Sequence, residues 1–201
     1  MKKKILAGAL LCAVLAVAAA GTVAYYTAEE TAHNVITAGG VSIELVEQQA
    51  VTRPDGETAL EPFPTAGVSV MPGMSASKIV SVKNTAPADT RGDAWVRVKL
   101  TATVVYAGQT QAQPADPNVI SLVVSQDATL WQLGADGWYY YQKPLAPQAQ
   151  TEALLSAVAF DGPAMGNEYQ GADVQITVSA QAVQSANNGD TVSQAAGWPE
   201  E

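Results

Sequence analysis

Alternation of apolar and polar residues, with no helical period, organises most of this chain. The run VSIELVE at 41–47 changes character at nearly every residue, which on a strand buries one face and wets the other. SKIVSVKN at 77–84 repeats the pattern, with Ile79 competing against Val80 and Val82 for the core side. The strongest signal is DAWVRVKLTATVVY at 93–106, which sets Trp95, Arg97, Lys99 and Thr101 on one face and Val96, Val98 and Leu100 on the other. The aliphatic face is expected in the core, with Trp95 capping an end or covering the charged stems. Asp136-Gly137 between LWQL and WYYY predicts a tight hairpin over 130–141, with cross-strand pairs among Trp131, Trp138 and the tyrosines. Further strands are expected within 152–160 and 173–184. Turns are expected at Arg53-Pro54-Asp55-Gly56, at Met71-Pro72-Gly73 and over 85–92, and a loop over 107–118. Seven or more short strands between such turns predict an all-β fold, an antiparallel β-sandwich.

The exception lies at the start. Residues 1–24 carry Lys2, Lys3 and Lys4, an apolar run over 5–20, and then Gly21-Thr22-Val23-Ala24. This order predicts an export signal, a helix when inserted, with small residues Thr22 and Ala24 at the recognised positions and Tyr25 as the new first residue. The alternative is an uncleaved anchor, because 5–26 is about long enough to span a bilayer. The organisation expected is a signal at 1–24, a separate N-terminal segment at 25–40, a sandwich at 41–190 and a tail at 191–201. Gly39-Gly40 precedes an alternating strand and follows no buried parallel one, so it reads as a hinge.

Composition narrows the chemistry. Hydrophobic residues make up 48% of the chain but aromatic residues only 6% and charged residues 14%. The formal charge of -9 becomes about -12 once the three signal lysines are removed. That balance argues against nucleic acid and against anionic lipid as partners, and leaves membrane contact to the uncleaved signal. Cys12 is the single cysteine and lies in the apolar run, so no disulfide is expected. His33 is the single histidine and no Gly-x-Ser-x-Gly elbow is present, which leaves a nucleophilic site without its usual base. One histidine and no mature thiol do not make a common zinc site. Neither a catalytic residue, a metal site nor a cofactor is expected. Trp138, Tyr139 and Tyr141 are the candidates for a ligand surface, as a platform on which sugars could stack.

The stretches GTVAYYTAEETAHNVITAGGVSIEL, VKNTAPADTRGDAWVRVKL, LWQLGADGWYYYQKPLAPQAQT and GNEYQGADVQITVSAQAVQSANNG, with Trp198-Pro199 near the end, together resemble the TasA and camelysin family of Gram-positive bacteria. The resemblance runs along essentially the whole chain. It implies a jelly-roll-like sandwich, release by a SipW-type signal peptidase, and a place in the extracellular matrix or at the cell surface. It also implies self-association into biofilm-matrix fibres, with accessory matrix proteins as further partners. In such fibres the mature N-terminal strand completes the sheet of a neighbour, which would give Tyr25, Tyr26, Val35, Ile36, Gly39 and Gly40 the assembly role. A monomeric adhesin or carbohydrate-binding module is the rival expectation. A camelysin-like protease is the less favoured one, since His33 alone cannot build the site.

Overall fold

The computed structural model describes residues 26–29, 33–38, 41–65, 68–89 and 92–200, the first two stretches as backbone. The expected signal helix, with Thr22, Ala24 and Tyr25, lies outside the described residues, as do Gly39 and Gly40. What is described is an all-β sandwich, built from thirteen strands and two short 3-10 turns.

One sheet runs β4 (Thr58–Pro62), β3 (Ile43–Thr52), β6 (Ser75–Asn84), β12 (Leu155–Phe160) and β9 (Ile120–Val124), all antiparallel. The other runs β10 (Trp131–Leu133), β11 (Tyr139–Tyr141), β7 (Ala94–Val105), β13 (Asp173–Gln184), β1 (Tyr26–Glu29) and β5 (Val68–Val70). To it are added β8 (Gln113–Pro114) beside β7 and β2 (His33–Ala38) beside β13. The chain crosses repeatedly between the sheets, so neighbouring strands are seldom consecutive in sequence. Among the described residues, the parallel pairings are those of β1 and β2 with β13.

Period-two alternation decides what fills the space between the sheets. Val80 and Val82 of β6 and Leu155 and Val158 of β12 meet Val96, Val98, Val104, Val174, Ile176 and Val178 of β7 and β13 in one cluster, all fully or almost fully buried. Burial of each such side chain stabilises the fold by roughly 1.5–3 kcal/mol. In β6 the contest goes to Val80 and Val82, while Ile79 is half-buried on the other face.

The same core face of β6 also carries Lys78, 2% exposed. Its Nζ donates to Glu47 Oε2 at 2.7 Å and sits 3.9 Å from the centre of the Phe63 ring. Burial pushes the Lys78 ammonium down from its ordinary value, against the hydrogen bond and charge of Glu47. Asn84, fully buried at the end of β6, acts as a polar knot. Its Nδ2 donates to the carbonyls of Gly92 and Leu145, and its Oδ1 accepts from the Ala86 N–H. Three loop ends are tied by one side chain with no polar group wasted.

Of the expected turns, those at 53–56, 71–73 and 136–137 form. Gly56, with φ of 85°, closes the β3–β4 hairpin, where Asp55 Oδ1 accepts from the Glu57 N–H; Gly137, with φ of 81°, closes β10–β11. The 107–118 stretch is less irregular than expected, since β8 within it pairs with β7. Residues 191–200 do not trail away as a simple tail. Val192 is buried against Trp95 and Val183, and Asn188 brackets Ala196 by donating to its carbonyl and accepting from its N–H.

Candidate functional site

Two places in the molecule bear on function: the flank of β13 that faces the N-terminal strands, and the outer face of the β10–β11 hairpin.

β13 is long because DVQITVSAQAVQ alternates for its whole length, burying Val174, Ile176, Val178, Ala180 and Ala182. One flank is taken by β7 in continuous antiparallel register, from Asp173↔Val105 to Gln184↔Ala94. On the other flank β1 covers Asp173 to Gln175 and β2 covers Val178 to Val183, both parallel. Val35 lies opposite Ala180 and Ile36 opposite Gln181. β1 also pairs with β5, placing Tyr26 opposite Val70. The N-terminal segment of this single chain therefore lies as two strands along its own sheet. Of the residues expected in the assembly segment, Tyr26, Val35 and Ile36 are brought to this flank. Tyr25, Gly39 and Gly40 lie outside the described residues.

On the hairpin the aromatic residues divide by face. Trp131 and Tyr141, directly opposite across β10–β11, point into the core with ring centres 5.0 Å apart. Glu152 holds both: the Trp131 indole N–H donates to its carbonyl at 3.0 Å and the Tyr141 hydroxyl donates to its carboxylate. That hydroxyl, then its own N–H and the Lys143 charge, hold the Glu152 carboxyl below its ordinary value, while burial and Glu152 push the Tyr141 phenol up. Tyr139 packs against the core from the side.

The outer face carries a row of cross-strand neighbours, Gln132, Tyr140, Arg97 and Gln181. Arg97 is enclosed. Its guanidinium lies 4.4 Å from the Trp138 ring centre and 4.7 Å from that of Trp198, a double cation–π stack. Its Nε and Nη2 both donate to Gln181 Oε1, its Nη1 donates to the Tyr140 hydroxyl, and Asp136 Oδ2 is 3.5 Å away. The Tyr140 hydroxyl donates in turn to Asp136 Oδ2 at 2.7 Å. Partial desolvation pushes the Asp136 carboxyl up, but the Tyr140 hydroxyl, the Trp138 N–H and the Arg97 charge together hold it below its ordinary value.

This geometry corrects the expected ligand platform. Trp138 is 3% exposed beneath Arg97 and Lys99, and Tyr141 is buried in the core, so neither presents a ring to solvent. The aromatic rings that line open space there are Tyr140 and Trp198. Trp95, the second residue of β7, lies at that end of the strand and is buried under the C-terminal segment, its indole N–H donating to the Asn188 carbonyl. Trp198 and Gln181 escaped the sequence reading. The available signal was Arg97 itself, a cation in the middle of an aliphatic strand, which needs aromatic or acidic company to be half-covered.

Among the described residues no group of three or more His, Cys, Asp or Glu is placed to hold a metal ion, and no helix is long and apolar enough to cross a membrane. In comparisons with family models, with curated proteins and with solved structures, nothing matches the chain.

Proposed function

We propose that the chain is a secreted, non-enzymatic subunit of a surface or biofilm-matrix fibre, of the TasA and camelysin kind, which polymerises by passing its N-terminal strand to a neighbour. The observation that supports this most is the state of the β13 flank. Two short parallel strands from the chain's first part occupy it, and they precede the glycine pair that leads to β3.

Exchange of this segment would break its parallel pairs with β13 and the antiparallel β1–β5 pair, and the same segment of a second copy would restore both. Parallel pairs are slightly weaker per residue than antiparallel ones, and a terminal strand can leave without threading the rest of the chain. Once it leaves, β13 offers a long unpaired edge that the same segment of another molecule can fill in the same register. The contact is head-to-tail and does not close on itself, so it propagates as a filament. Release by a SipW-type signal peptidase would free the strand by creating the new terminus at Tyr25, and accessory matrix proteins could enter the filament through the same edge.

Electron microscopy and light scattering on protein beginning at Tyr25, beside protein beginning at Val41, test the reading. Filaments from the longer form and particles of monomer size from the shorter are expected. Identical monomers from both would leave the segment a role in export alone and sink the proposal.

A further inference from the structure

A cleft of about 450 Å³ opens between the outer face of the β10–β11 hairpin and the C-terminal segment. That volume lies within the range of small-molecule clefts, about 300–1,000 Å³. Gln132, Tyr140 and Gln142 form its floor, Asp136 stands at the hairpin tip, and Ser193 and Trp198 close the far side. The Tyr140 and Trp198 rings meet at 82° with centres 5.9 Å apart, making an aromatic corner rimmed by amides, a carboxylate and a hydroxyl.

We propose that this cleft binds a short stretch of neutral polysaccharide, an activity separate from assembly. A pyranose ring carries C–H groups on a face and hydroxyls around its edge, each hydroxyl both donor and acceptor. An aromatic corner takes the face, and planar amide and carboxylate groups take the edge. Charge selects against acidic sugars. The Arg97 guanidinium, which would attract them, is enclosed between Trp138 and Trp198 with its N–H groups committed to Gln181 and Tyr140, while Asp136 is 45% exposed at the tip. The formal charge of the chain, -9, adds to that repulsion.

The corner is also held ready. Tyr140 is fixed by its bond to Asp136, and Trp198 by the stack on Arg97 and by its indole N–H donating to the Ala195 carbonyl at 3.1 Å. Little side-chain freedom is lost when a ligand arrives, which favours binding in a shallow site.

Titration of the intact secreted protein with cellohexaose, maltohexaose and chitohexaose, followed by tryptophan fluorescence and calorimetry, tests the assignment, with hexagalacturonate as the acidic arm. Saturable binding of at least one neutral hexasaccharide is expected, with a Kd on the order of 10 µM to 1 mM. Trp198→Ala should weaken it at least tenfold. Ser193→Trp, which fills the cleft from its exposed rim and leaves the Arg97 stack intact, should abolish it without moving Tm. Absence of saturation with all three neutral sugars overturns the proposal. So does tighter binding of hexagalacturonate, or binding that survives Ser193→Trp.

Discussion

Along one flank β13 meets β7 without a bulge from Asp173↔Val105 to Gln184↔Ala94; along the other, among the described residues, it meets two short strands in parallel. The antiparallel flank unites two long strands whose inward side chains are almost all buried, so its hydrogen bonds and its packing are lost together or not at all. The parallel flank depends on β1 and β2, two short strands that precede β3 in the chain. Two edges of one strand thus differ in what their loss would mean: the first defines the fold, and the second is the one that the proposed exchange would remake with another copy of the same segment.

Proline placed on each flank separates them most sharply. Val98→Pro, in the middle of β7, should destabilise the protein by about 4 kcal/mol or more, because it removes a ladder bond and distorts a fully buried strand. Val35→Pro in β2 should lower stability by only about 1–2 kcal/mol, since a single weak pairing is affected. It should nevertheless stop filament growth. Denaturant unfolding of both, with microscopy of the second, measures the contrast, and equal losses of stability would erase it.

Asn84→Ala should follow, at about 2–4 kcal/mol by denaturant unfolding, because the Gly92 and Leu145 carbonyls and the Ala86 N–H lose a shared partner. It should leave filament formation intact at low temperature, since none of the three partners lies on β1 or β2. Elsewhere on β6, Lys78→Met alone should cost about 3 kcal/mol by stranding the Glu47 charge, and Lys78→Met with Glu47→Gln should recover most of it. Lys78 titrates lower in the folded chain than in the unfolded one. The unfolded chain therefore binds more protons between those two values, and stability should rise with pH across that alkaline interval. The double variant should lose that slope.

The smallest effect is expected at Glu152, whose side chain is half exposed. Its carboxyl is held below its ordinary value in the folded protein, so its contribution is present above the ordinary carboxylate range and fades as pH falls through the folded value. Glu152→Gln should flatten the acid limb of Tm below about pH 4 with little change at neutral pH. An unchanged acid limb would show that the Tyr141 bond adds nothing to the hairpin.

The long alternating strands were legible because each repeats its pattern over enough residues for one face to be identified. β3, β6, β7, β12 and β13 were expected close to where they stand, as was the β10–β11 hairpin. β4, β5 and β9 went unread, since TALEP, VSV and ISLVV are too short for periodicity to separate them from loop. At the candidate sites, Tyr26, Val35 and Ile36 were picked out and lie on the β13 flank. The aromatic residues were picked out by type but assigned to the wrong surface, because alternation says that neighbouring rings diverge and not which side is covered. What covers Trp138 is Arg97 and Lys99, from a strand some forty residues earlier.

By itself the sequence determined an all-β chain, its strongest strands, its turns at Gly56 and Gly137, and a first segment unlike the rest. These are local properties, set by side-chain alternation and by the few residues that tolerate a positive φ. Only the tertiary structure decided that β1 and β2 lie along β13, that Lys78 and Asn84 are buried with partners, and that the C-terminal segment folds over Trp95 and Arg97 to leave a cleft. Pairing between distant strands and the covering of one face by a remote segment depend on which surfaces are apposed, and alternation along the chain leaves that choice open.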